Sequence, residues 1–129
     1  MSTENSCECS GGPKLIFACS GAADVGAITD QAAREMTKQG IGKMFCMAGI
    51  GGRVRGIIKT TESADRILAI DGCSLNCVKN SLELAGFDTF DHLQLADLGI
   101  EKGSSPLTEE NINKVIAKGK KILIHPNNG

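Results

Sequence analysis

Among residues able to do chemistry, the six cysteines stand out, and Cys19, Cys46 and Cys73 fall at equal intervals of 27 residues. Each closely follows a short apolar run. Leu15-Ile16-Phe17-Ala18 precedes Cys19, Met44-Phe45 precedes Cys46, and Ile67-Leu68-Ala69-Ile70 precedes Asp71-Gly72-Cys73. A strand–helix–strand unit of about thirty residues returns the chain to the same end of a sheet. The interval therefore predicts that the three thiols gather at one carboxyl edge, where open α/β sheets hold their ligands. Cys77 follows Cys73 by about one helical turn and lies off the apolar stripe Leu75/Val78/Leu82/Ala85. Four thiols at one edge suit tetrahedral zinc, whose structural sites are closed by four ligands. The same spacing also suits small buried side chains at strand ends, because free Cys is among the most buried residue types. Without paired Cys-x-x-Cys knuckles, spacing alone leaves both readings open.

The same cysteines support two other chemistries. Cys73 and Cys77 fall near an expected helix N-terminus, whose partial positive charge favours thiolate, so either could serve as the nucleophile of a thiol enzyme. Four sulfurs would also hold an iron–sulfur cluster. Cys7-Glu8-Cys9 is a further thiol pair, either delivering metal to the main site or idle on a terminal arm. Asp71 is a ligand, an acceptor behind the ligands, or a strand-end carboxylate capping the next helix. Asp24 reads as an N-cap. The run Gly49-Ile50-Gly51-Gly52-Arg53-Val54 fails the dinucleotide fingerprint, because Val54 stands where the third glycine is required. Arg53 and Arg55 beside it either hold a small anion or lie on a solvated face. His92, at the start of its expected strand, falls at the end away from the thiols and is not taken as a ligand; His125 is undecided. No Ser-His-Asp order, carboxylate pair or phosphate loop is legible, and no reaction is assigned.

The elements that must position these residues alternate regularly. Short apolar runs bounded by glycine suit strands buried on both faces of a parallel sheet. Between them, Val25, Ile28, Ala32 and Met36 form a helical stripe that starts at Asp24 and stops at Gly40. Val54, Ile57 and Ile58 mark a shorter helix, and Leu75 to Ala85 a third, closed by Gly86. Leu93 and Leu95 alternate with polar residues, as in a half-exposed edge strand. A last helix starts at Thr108-Glu109-Glu110; Ile122–Ile124 either continues it or forms a fifth strand. The pattern predicts one α/β domain over 14–129, preceded by a flexible tail over 1–13. Its sheet is mostly parallel, with four or five strands and helices on both faces, in a Rossmann-like three-layer arrangement.

Composition narrows the function classes. The 129 residues are 41% hydrophobic and 22% charged, ordinary globular usage and enough chain for one core. A net charge of −1, no Trp and no Tyr give little attraction for nucleic acid. No apolar run approaches a membrane-spanning length, so no membrane partner is expected. The start MSTENSCECSGGPK lacks a basic segment and an apolar core, which predicts a cytoplasmic protein with reduced thiols.

Three stretches also carry a family resemblance. FACSGAADVGAITDQAAREM, MFCMAGIGG and AIDGCSLNCVKNSLELAGF together resemble the DGC-domain family, regarded as zinc-binding proteins and named for the triplet seen here as Asp71-Gly72-Cys73. The likeness runs from about Leu15 to Pro106. It implies a zinc site formed by four family cysteines, which match Cys19, Cys46, Cys73 and Cys77, and it brings no reaction with it.

Overall fold

Every residue from Leu15 to Ala18 is buried, and the same holds from Ile67 to Asp71. Strands with both faces covered need a layer on each side. The computed structural model describes residues 12–124 and supplies those layers. Four strands, β1 (Lys14–Ala18), β2 (Lys43–Met44), β3 (Arg66–Asp71) and β4 (Asp91–Gln94), form a parallel sheet in the order β2-β1-β3-β4. Helices α1 (Asp24–Lys38) and α5 (Glu109–Ile124) cover one face. Helices α2 (Met47–Gly51), α3 (Arg55–Glu62) and α4 (Cys77–Leu84) cover the other.

Alternation along the strands divides the core. Ile16, Ala18, Leu68 and Ile70 pack with Ile28, Met36 and Val115 on the α1/α5 side. Leu15, Phe17, Ile67 and Ala69 pack with Ile50, Val78 and Leu82 on the other. Each such large side chain contributes about 1.5–3 kcal/mol when fully buried. The two clusters hold the sheet in place without involving the exposed thiols.

Helix α1 ends as its sequence dictates. Gly40 takes φ +76°, its N–H donates to the Thr37 carbonyl and the Ile41 N–H to the Met36 carbonyl, and Ile41 is buried behind the turn. That is a Schellman stop, which favours glycine at the left-handed position. Other boundaries differ from the sequence reading. Ala23 is the cap residue of α1, and Asp24 is already helical. Ile122–Ile124 continues α5, so the sheet has four strands, because Leu123 is needed in the α1/α5 core. Leu75 lies outside α4 and is exposed, and Leu95 begins a 3₁₀ turn, Leu95–Leu98. Helix α2 falls within the glycine-rich loop, where Gly49 allows Ile57 to approach; a Cβ there would lie 2.6 Å from Ile57 Cγ1. Among the described residues no helix is long and apolar enough to cross a membrane.

Candidate metal centre

The strand order places a topological switch between β1 and β3. From β1 the chain leaves over the α1 face, and from β3 it leaves over the α4 face, opening a crevice at the carboxyl edge. Open α/β sheets bind ligands at such crevices. Here the crevice is a cavity of ≈ 240 Å³ bordered by Cys19, Asp71, Cys73 and Cys77. Three of the four expected thiols therefore share one concavity.

Cys19 follows β1 directly, and its N–H donates to the Ile70 carbonyl at 3.2 Å, which extends the pairing to β3 by one residue. Its Sγ lies 3.4 Å from Oγ1 of the buried Thr29. Ser20 next to it takes φ +33°, and its hydroxyl donates to Asp30 Oδ1 at 2.9 Å. The Arg34 guanidinium on the other Asp30 oxygen, together with Ser20, holds that carboxyl below its ordinary range.

Two glycines bring the loops together. A Cβ at Gly72 would stand 2.8 Å from Val25 Cβ, and one at Gly26 would stand 2.6 Å from the Gly21 nitrogen. The glycine of the Asp-Gly-Cys triplet thus lets the first turn of α1 touch the β3–α4 loop. Cys73, half-buried, begins a turn closed by the Asn76 N–H donating to its carbonyl at 3.2 Å. Asn76 takes φ +53°, ψ +47°, and Cys77 is exposed as the first residue of α4. Among the described residues, two of the three non-glycine residues with positive φ, Ser20 and Asn76, flank this cavity. Backbone of this kind clusters at functional sites.

Asp71 is 1% exposed and takes the capping role that its strand-end position suggested. Its Oδ1 accepts the Val78 N–H at 2.8 Å and its Oδ2 the Lys79 N–H at 3.1 Å, so the carboxylate caps α4 from the preceding strand. Those two amides are therefore not free to bind an anion. His92 corrects the sequence reading. It lies beside the site, with Nε2–H donating to Asp71 Oδ2 at 2.8 Å. The parallel register pairs Ala69 with His92 and Asp71 with Gln94, so the short strand β4 brings both near the thiols. Register between strands cannot be read from one strand alone. Gln94, which sequence reasoning missed, donates through Nε2 to the Cys73 carbonyl at 3.1 Å and to Asn76 Oδ1 at 2.7 Å. Its Oε1 is buried without a donor. Lys102, also missed, borders the cavity and adds positive charge there.

Cys46 stands apart. It is the exposed residue preceding α2 and borders a separate groove of ≈ 650 Å³ with Arg34, Thr37, Met44 and Phe45. Among the described residues, no three His, Cys, Asp or Glu side chains are gathered closely enough to hold one metal ion. Sulfur is the donor type a thiophilic ion such as zinc prefers, and three sulfurs border this concavity, but they are not drawn together into a coordination set and the fourth borders a different groove. Arg53 is committed elsewhere, since its guanidinium donates to the Ile50, Gly51 and Leu84 carbonyls and ties α2 to the end of α4. Cys7, Cys9 and His125 lie outside the described residues.

The Anaerobic and virulence modulator AnvM of Pseudomonas aeruginosa is 35% identical over 88 residues, which cover 68% of this chain and 67% of that protein. No solved structure matches. Residues 15–118 match the family model described as DGC domain, and they include all four cysteines of the candidate centre. The chain belongs to the DGC domain family.

Proposed function

We propose that this protein is a metal-binding module with a regulatory role, taking zinc on Cys19, Cys73 and Cys77 at the switch-point crevice, with Cys46 as the fourth thiol of the set. The observation that carries the reading is the convergence of three thiols from two strand ends on one cavity. Zinc bound there would tie the β1–α1 loop to the start of α4 and close its coordination with sulfur, which suits storage or sensing better than hydrolysis. Asp71 and the Cys73–Asn76 turn fix the α4 end of the set. The name of the related AnvM, a modulator, favours a regulatory role over a catalytic one.

Elemental analysis of the purified protein and of four single Cys→Ser variants tests the proposal. About one zinc per chain is expected, the stoichiometry of a single four-ligand site. Each of Cys19→Ser, Cys73→Ser and Cys77→Ser should lose it, and Cys46→Ser should bind it more weakly. Metal-free protein purified without chelator would overturn the reading, and iron with a visible charge-transfer band would replace zinc by a cluster.

A further inference from the structure

We infer that His92 and Gln94, two residues apart on the edge strand β4, are positioning residues for the thiol set: they fix the Cys73–Cys77 segment from outside its own loop and helix. Residues i and i+2 of a strand share a face, and these two reach adjacent parts of that segment. Nε2 of His92 lies 2.8 Å from Asp71 Oδ2, the oxygen that also accepts the Lys79 amide and so holds the α4 end that carries Cys77. Gln94 Nε2 uses both protons on the turn, one on the Cys73 carbonyl at 3.1 Å and one on Asn76 Oδ1 at 2.7 Å. That second bond holds the side chain of the residue whose backbone is left-handed.

The unmet oxygen of Gln94 separates a positioning role from ordinary strand packing. Its Oε1 is buried and meets no donor. An apolar residue would cover this end of β4 without burying an unpaired acceptor, so the amide serves the turn rather than the strand. Groups behind ligands commonly set ligand orientation in this way, and losing one lowers metal affinity about 10–100-fold. The inference rests on the thiols working as a set, and its first test involves no metal.

In chelator-treated protein, the alkylation rate of half-buried Cys73 relative to that of Cys46, which borders a different groove, reads the turn directly. Gln94→Leu and His92→Leu should each raise that ratio severalfold while Cys46 itself is unchanged. His92→Gln, whose amide can still donate to Asp71, should return the ratio to the parent value. Gln94→Glu, isosteric but without the donor, should behave as Gln94→Leu and serves if a leucine variant fails to fold. An unchanged ratio in the folded variants would overturn the inference, as would equal acceleration at all four thiols, the mark of general loosening. Zinc titration of the same variants then asks for the affinity loss. A shifted ratio in protein that binds no zinc would keep the clamp and discard the metal.

Discussion

At Asp71 one buried carboxylate serves two helix amides and a histidine. Asp71→Ala should destabilise the fold by about 1–3 kcal/mol, the cost of leaving buried donors unmatched. Urea unfolding measures this, and an unchanged midpoint would mean that water replaces the carboxylate. Gly72→Ala should cost a similar amount for a different reason. Its Cβ would meet Val25 Cβ at 2.8 Å, and forced overpacking costs about 1–3 kcal/mol. At Gly119 an added Cβ would meet chiefly the flexible end of Met36, and alanine gains about 0.8–1.0 kcal/mol of helix propensity, so Gly119→Ala should be close to neutral. At this scale the sequence was a partial guide. The Asp-Gly-Cys triplet and Cys77 stood out by type and spacing, and three of the four thiols do border one cavity. His92 was placed at the wrong end and Gln94 did not stand out, because both roles depend on which residue of β3 each one faces.

Between elements, the loop after the 3₁₀ turn is pinned to the start of α1. Asp24 accepts the Gly103 N–H at 2.9 Å and the Ser105 N–H at 3.1 Å. The bond from Gly103, then that from Ser105, holds its carboxyl below the ordinary value of 3.8. The folded value is depressed, so the contribution of this clamp is present above pH 3.8 and is lost as pH falls through the lower folded value. Amide shifts of Gly103 and Ser105 should therefore titrate together, with a midpoint below 3.8, and Asp24→Asn should abolish the titration. A midpoint at or above 3.8 would contradict the geometry. The Asp24 side chain looked like a cap because an acidic residue before an apolar helical stripe is the usual sign of one. Its partners lie 79 and 81 residues downstream, beyond the reach of a local pattern. The remaining elements were legible wherever periodicity ran long, as in α1 and β3. Helix α2 was missed because its five residues carry three small ones, Ala48, Gly49 and Gly51, and show no stripe.

The fold of the whole molecule rests on two apolar clusters that include none of the exposed thiols. Cys77→Ser should accordingly lose metal and keep its cooperative unfolding, unlike a small domain that folds only when its metal is bound. Circular dichroism through thermal unfolding checks this, and a chain unfolded by the substitution would make the metal part of the core. The regular 27-residue spacing correctly returned Cys19 and Cys73 to one edge, because each follows a strand of the central pair. Cys46 also follows the carboxyl end of its strand, but β2 is two residues long at the sheet's far edge, and the thiol borders a different groove. The most direct test of the thiol set as a metal centre is mass-spectrometric alkylation at limiting reagent, with and without chelator. The account predicts slow labelling of Cys19, Cys46, Cys73 and Cys77, and the protection is lost when chelator is added. One hyper-reactive thiol among the four, indifferent to chelator, would contradict it.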